Sequence, residues 1–195
     1  MPASVFLSFH FERDSARALQ ISTAPGLAEA CSFRGVITRL DRMALERQGS
    51  DRLRRWIDAE IGAANIAVIL VGGGTWSSPS VHYAIQRCRA AGLPMIAVYI
   101  HRLADSHTGL RDSKGQNPLD LHYLTGSRPP VYLSQICRTF DWVTDQGEQN
   151  LPAWIAEAAA QGDHPKAPAP RPGRGLASSR HVSEDWDPKA FVAEP

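Results

Sequence analysis

The sequence predicts an α/β protein, a three-layer sandwich in which a central parallel sheet lies between helices. Three observations carry that prediction. Short runs of apolar, often β-branched residues recur between residues 4 and 100. Stretches with apolar residues spaced three and four apart, the helical period, separate them. The clearest run, "NIAVILVGG" at 65–73, is apolar on both faces, as a strand covered on both sides of a parallel sheet must be.

The elements follow in order. "SVFLSF" (4–9) reads as a buried first strand, and "DSARALQISTAPGLAEA" (14–30) as a helical stretch interrupted at Pro25-Gly26. "RGVITRL" (34–40) reads as a short second strand. "SDRLRRWIDAEIGAA" (50–64) is a helix with Ser50 as its cap and Leu53, Ile57 and Ile61 on its apolar face. After the strand at 65–73, Ser78 suits an N-cap, Pro79 the first helical position, and Val81, Ile85 and Cys88 form the buried stripe of a helix that stops at Gly92. "LPMIAVYI" (93–100) is another buried strand. Residues 101–135 are polar and rich in turn formers, which predicts a structured insertion or a large loop. Residues 139–161 supply a terminal helix that buries Trp154 and Ile155.

One domain over 1–161 is expected, followed by a Pro-rich tail at 162–195 that is disordered or docked on a partner, with Trp186 and Phe191 as anchors. Strand–helix alternation of this kind implies a flavodoxin-like arrangement, whose ligands bind at the C-terminal ends of the strands. That puts "SFHFERD", "LDR" and "GGGTW" on one rim.

Composition and motifs prune the functions. With 21 basic and 20 acidic residues and a net charge of +1, no basic stripe points to nucleic acid or a membrane. Arg52, Arg54 and Arg55 read as a solvated helix face. No apolar run is long enough to span a bilayer, and "MPASVFLSFHFERD" is unlike a signal peptide. Cys31, Cys88 and Cys137, odd in number and far apart, fit reduced thiols packed in a cytoplasmic protein. "GGGTWSS" lacks the lysine of a phosphate-cradling P-loop, and its glycines miss the dinucleotide fingerprint. There is no acidic pair after the first strand and no G-x-S-x-G elbow. His10, His82 and His122 lack metal-ligand spacing and read as surface or packing residues.

Four ordered blocks remain: "VFLSFHFERD", "LRRWIDAEIGAANIAVILVGGGTWSSPSVHYAI", "IHRL" followed by "SKGQNPLD", and "FDWVTDQG" followed by "LPAWI". In this order they resemble the TIR-like proteins of the Thoeris anti-phage systems, from Val5 to about Ala160. The resemblance implies a flavodoxin-like/TIR-like fold and an NAD+ glycohydrolase or ADP-ribosyl cyclase. Such an enzyme cleaves the bond to nicotinamide and makes a cyclic or conjugated ADP-ribose signal for a separate effector. It implies NAD+ as substrate, no further cofactor and no metal, a phage-protein trigger and a possible homo-oligomer. The family's catalytic glutamate follows an aromatic residue in a W-V-x-Y-E-I pattern, and the matching stretch here is "SVHYAI". The glutamate position is therefore Ala84, between the retained Tyr83 and Ile85.

A methyl group cannot oppose the charge of an oxocarbenium-like transition state, so this sequence is expected to be catalytically silent at position 84. The intact motif around Ala84 favours an introduced Glu→Ala change over a naturally silent paralogue. Ser8, Phe9, His10 and Phe11 follow the first strand and are expected at the active edge, where an aromatic ring could stack on the substrate. Asp41 is expected as a loop carboxylate near the ribose; Thr75 and Trp76 lie between the glycines and the Ser78 helix, whose N–H groups could face a pyrophosphate, and Tyr83, within that helix, is expected to contact the substrate. Lys114, Asn117 and Asp120 are expected to shape the site rim or an assembly contact. The competing functions are a silent TIR-like scaffold and a nucleotide-sensing interaction module.

Overall fold

Alternation within one central strand sets the layers. In the computed structural model, which describes residues 2–124, 127 and 129–160, strand β3 (Ile66–Val71) sends Ile66, Val68 and Leu70 to one face and Ala67, Ile69 and Val71 to the other. The first face packs against helices α1 (Phe11–Ser22) and α6 (Gly147–Ala160). The second packs against α3 (Ser50–Gly62) and α4 (Pro79–Ala91). Every β3 residue is buried, which is why its sequence shows no polar alternation.

Strands β1 (Ala3–Ser8), β2 (Cys31–Arg34), β4 (Met95–Tyr99) and β5 (Thr139–Asp141) complete a parallel five-stranded sheet in the order β2-β1-β3-β4-β5. Register pairs Ala3 with Cys31, Val5 with Ile66, Ala67 with Met95 and Ala97 with Thr139. This is the flavodoxin-like order, and it reverses between β1 and β3, where the crevice of such sheets opens. Trp154 and Ile155 are buried, Trp154 stacking on Phe140 at 4.0 Å between ring centroids. The three cysteines are free and buried.

Several expectations are corrected. The second strand is Cys31–Arg34 and not 34–40: pairing beside β1 ends at Arg34, and Gly35 then turns the chain at φ +85°. A Cβ on Gly35 would stand 2.5 Å from the Leu7 carbonyl oxygen, so only glycine fits this turn. The residues after the turn start helix α2 (Arg39–Arg47). Ser50 opens α3 but does not cap it; the N-cap is Gly49, with no side-chain cap bond. Ser78 is the N-cap of α4, yet its hydroxyl pairs with that of Ser80 at 3.1 Å and bonds no helix N–H. The last block, expected as a helix over 139–161, begins with strand β5, and the helix starts only at Gly147.

Residues 101–135 are folded onto the sheet. Asp112 accepts a hydrogen bond from the Gly73 backbone N–H at 2.9 Å and pairs with Arg13 at 3.0 Å. Buried Arg17 donates to the carbonyls of Leu103 (2.8 Å) and Leu110 (3.0 Å) and pairs with Asp14 (3.0 Å). A short helix α5 (Leu133–Ile136) precedes β5. The tail at 162–195, with Trp186 and Phe191, lies outside the described residues.

Candidate functional site

The C-terminal ends of β1 and β2 face α3 and α4 across a narrow cleft. Ser8, Phe9 and Phe11 come from the end of β1 and the start of α1, Gly35 and Ile37 from the turn after β2. Arg42 comes from α2, Trp56 and Ile57 from α3, and Ser80 and Ala84 from α4. The cleft is open to solvent on one side, and its accessible space is about 30 Å³, the room of one water. Ala84 is 1% exposed, with its methyl group among the apolar residues of the α3–α4 face.

Among the described residues lining this cleft, Arg42 is the one that carries a charge. It is 8% exposed, its guanidinium lies 5.2 Å from the Phe11 ring centroid, and its Nε donates to Glu46 Oε1 at 2.6 Å. Phe9 and Phe11 stack at 6.2 Å. Phe11 and Arg42 also line a second hollow of about 220 Å³ between α1 and α2. Among the described residues no carboxylate lines the cleft at Ala84; Glu12 and Glu46 belong to the adjoining hollow.

The structure thus gathers Ser8, Phe9, Phe11 and Ala84, and leaves the other expected residues outside the cleft lining. His10 precedes α1 and turns its ring toward Glu12, at 3.3 Å, and the glycine loop at Gly74. Asp41 is exposed, accepting from the Thr38 hydroxyl at 2.7 Å while its N–H donates back at 3.2 Å to cap α2. Thr75 is fully buried and its hydroxyl is spent on the loop, accepting from Gly72 N–H (2.8 Å) and donating to the Leu70 carbonyl (3.2 Å). Trp76 is 37% exposed, and its carbonyl accepts from His82 Nε2 at 2.7 Å. Tyr83 turns to α3, donating to Asp58 Oδ2 at 3.0 Å; burial and that carboxylate raise its phenol pKa.

The "SKGQNPLD" block seats the insertion on the sheet instead of lining the cleft. The Lys114 ammonium lies 4.5 Å from the Tyr99 ring centroid. Buried Asn117 accepts from Leu119 N–H and donates to Thr139 Oγ1, and Asp120 is exposed. Among the lining residues, Trp56 and Ser80 were not expected at the site, and Arg42 was expected only as part of the "LDR" stretch on the rim. Ser80 was findable, since it stands four residues before Ala84 on the same helix face. The "LDR" stretch set Arg42 on the rim, but its burial was not readable, because the burial of an arginine is settled by tertiary packing.

Burial governs the remaining titratable groups. It lowers the pKa of His82 and, with the charges of His82 and Arg89, takes His122 down to about 4. Burial pushes the Cys88 thiol up to about 12, which makes it inert as a nucleophile. Among the described residues, no group of three or more His, Cys, Asp or Glu is placed to hold a metal, and no helix is long and apolar enough to cross a membrane.

With this geometry in place, comparison with known families is decisive. Residues 6–105 match the family described as "Thoeris protein ThsB, TIR-like domain". The chain belongs to the Thoeris ThsB TIR-like family. The matched span runs from β1 past β4 and contains every residue lining the cleft of this ThsB TIR-like protein. The chain is also similar to a Bacillus cereus (strain MSX-D12) protein named "Putative cyclic ADP-D-ribose synthase ThsB1". Identity is 23% over 139 residues, covering 53% of this chain and 72% of that protein.

Proposed function

We propose that this ThsB TIR-like protein carries the framework of an NAD+-cleaving site, and that position 84 is where its catalytic carboxylate belongs. The observation that supports the reading most is the placement of Ala84. It stands on α4 in the cleft at the C-terminal ends of β1 and β2, beside Ser8, Phe9 and Phe11. Cleavage of the bond to nicotinamide builds positive charge on the ribose, and a carboxylate accepting the ribose hydroxyls would oppose it. Phe9 and Phe11 offer ring faces, and Ser8 and Ser80 offer hydroxyls, next to that position. Ala84 supplies neither a charge nor an acceptor, so the sequence as it stands binds without turning over.

The product in this reading is a cyclic or conjugated ADP-ribose that activates a separate effector, made when a phage protein triggers the enzyme in the cytoplasm. A space of one water cannot admit nicotinamide, so binding requires the cleft to widen, and α2 is the wall with least hold: Arg42 is its one buried residue. A second reading, a silent scaffold or nucleotide sensor, draws its support from the same missing carboxylate. The deciding experiment measures nicotinamide release from NAD+ by this chain and by Ala84→Glu, with a phage-derived activator. Release by Ala84→Glu alone supports the enzyme; silence of both, with NAD+ bound, sinks it and leaves the scaffold.

A further inference from the structure

Helix α2 is built against the usual rule. Leu40 is 79% exposed and Met43 39% exposed, while the residue it buries is Arg42. Burying a guanidinium is unfavourable unless its donors are satisfied. Only Nε–H of Arg42 makes a hydrogen bond among the described residues, to Glu46; its two terminal amino groups make none. They belong to a side chain that walls both the cleft at Ala84 and the 220 Å³ hollow beside it. Arg39, one turn earlier on α2, lines the same hollow and makes no ion pair among the described residues. Of the two carboxylates there, Glu46 is engaged by Arg42 and Glu12 stands by His10. Ser15 adds a hydroxyl from α1.

We infer that Arg42 and Arg39 form the subsite for the diphosphate of the dinucleotide, with Glu46 holding the Nε edge of the Arg42 guanidinium until a phosphate displaces it. This rests on the NAD+ reading above. A guanidinium fork matches phosphate oxygens as well as it matches a carboxylate, and a diphosphate brings more charge than Glu46. Once a phosphate takes the fork, the Glu46 carboxylate is repelled and turns to solvent, where its side chain is already 43% exposed. The exchange draws Arg42 out of the wall it shares with the Ala84 cleft, so anion binding and widening of the cleft are one event. Position follows too: a dinucleotide anchored there by its diphosphate has the adjoining Ala84 cleft for a ribose.

The test uses the full chain and two probes, inorganic pyrophosphate and ADP-ribose, titrated calorimetrically. Arg42→Gln weakens binding of both by about tenfold or more, and Glu46→Gln, which frees the Nε edge, tightens both severalfold. Melting midpoints accompany each variant. Equal affinity of Arg42→Gln and the unaltered chain overturns the assignment, as does unaltered affinity in Glu46→Gln, which decides alone should Arg42→Gln fail to fold. Absence of pyrophosphate and ADP-ribose binding overturns it even where Ala84→Glu releases nicotinamide. Arg42-dependent pyrophosphate binding with an inactive Ala84→Glu leaves the anion subsite standing and removes the NAD+ reading.

Discussion

His82 on α4 and His122 after the insertion meet ring to ring, with His82 Nδ1 2.8 Å from His122 Nε2. The Trp76 carbonyl can only accept, so His82 Nε2 carries the hydrogen, Nδ1 accepts, and His122 Nε2–H donates. With both rings neutral, as burial favours, the contact ties the helix bearing Ala84 to the segment ahead of β5; protons on both rings would set two donors face to face and break it.

A pH dependence follows. In the unfolded chain both rings take protons near the ordinary value of 6.5, whereas in the folded chain burial lowers both, His122 to about 4. Between those values the unfolded state binds more protons, so stability is complete above about pH 6.5 and falls as the pH drops toward 4. The His122 shift alone corresponds to about 3 kcal/mol. Melting temperatures from pH 7.5 to 4.5 should fall steeply, and less so in His122→Gln; equal slopes would refute the assignment.

Arg17→Met should be among the most damaging single changes on α1. It strands Asp14, whose side chain is 0% exposed and whose carboxyl is already raised by burial against the pull of Arg17. The loss is expected at about 3–5 kcal/mol, read by urea unfolding. Hydrogen exchange should accelerate first over residues 103–110, the stretch whose Leu103 and Leu110 carbonyls Arg17 holds.

Two glycines of the insertion should respond in opposite proportion to their backbone angles. Gly109 has φ +70° but open space around a Cβ, so Gly109→Ala costs about 1 kcal/mol. At Gly115 a Cβ would stand 2.2 Å from the Gly72 carbonyl oxygen, forcing the insertion off the glycine loop at a cost of about 1–3 kcal/mol. Denaturation midpoints rank the two; a larger loss at Gly109 would show that backbone strain outweighs the close approach.

Ala84→Glu should gain function and lose stability together. The new side chain enters a space of about 30 Å³ and brings a carboxylate beside Arg42 and otherwise apolar or hydroxyl neighbours. Overpacking and partial desolvation predict a loss of about 1–3 kcal/mol in the thermal melt. An unchanged melting temperature would mean that the cleft opens freely without substrate.

Much of the fold was legible because the central strands announce themselves. Ile66–Val71 and Met95–Tyr99 are apolar on both faces, and Val81, Ile85 and Cys88 repeat at the helical period. Strand β5 was not legible: three residues, Thr139–Asp141, carry no period, and their pairing with Ala97–Tyr99 is a property of the assembled sheet. The apolar pair Val36 and Ile37 drew the second strand too late, since those side chains pack on the core from a turn. In the site, Ser8, Phe9 and Phe11 were placed by one rule, that clefts form at the C-terminal ends of strands, and Ala84 by the family resemblance alone. The same rule set Thr75 and His10 beside them, and it could not say that hydrogen bonding would turn Thr75 inward or that the His10 ring would lie against Glu12.

The outermost strands of the sheet, β2 with four residues and β5 with three, are also its shortest. A template for adding strands from another molecule needs a long open edge, and brief edges are how sheets resist such growth. Fibrils growing by strand addition therefore find little purchase on this sheet. Copies that gather on one another have helical and loop surfaces to use, and such contacts can form and dissolve with the chain still folded.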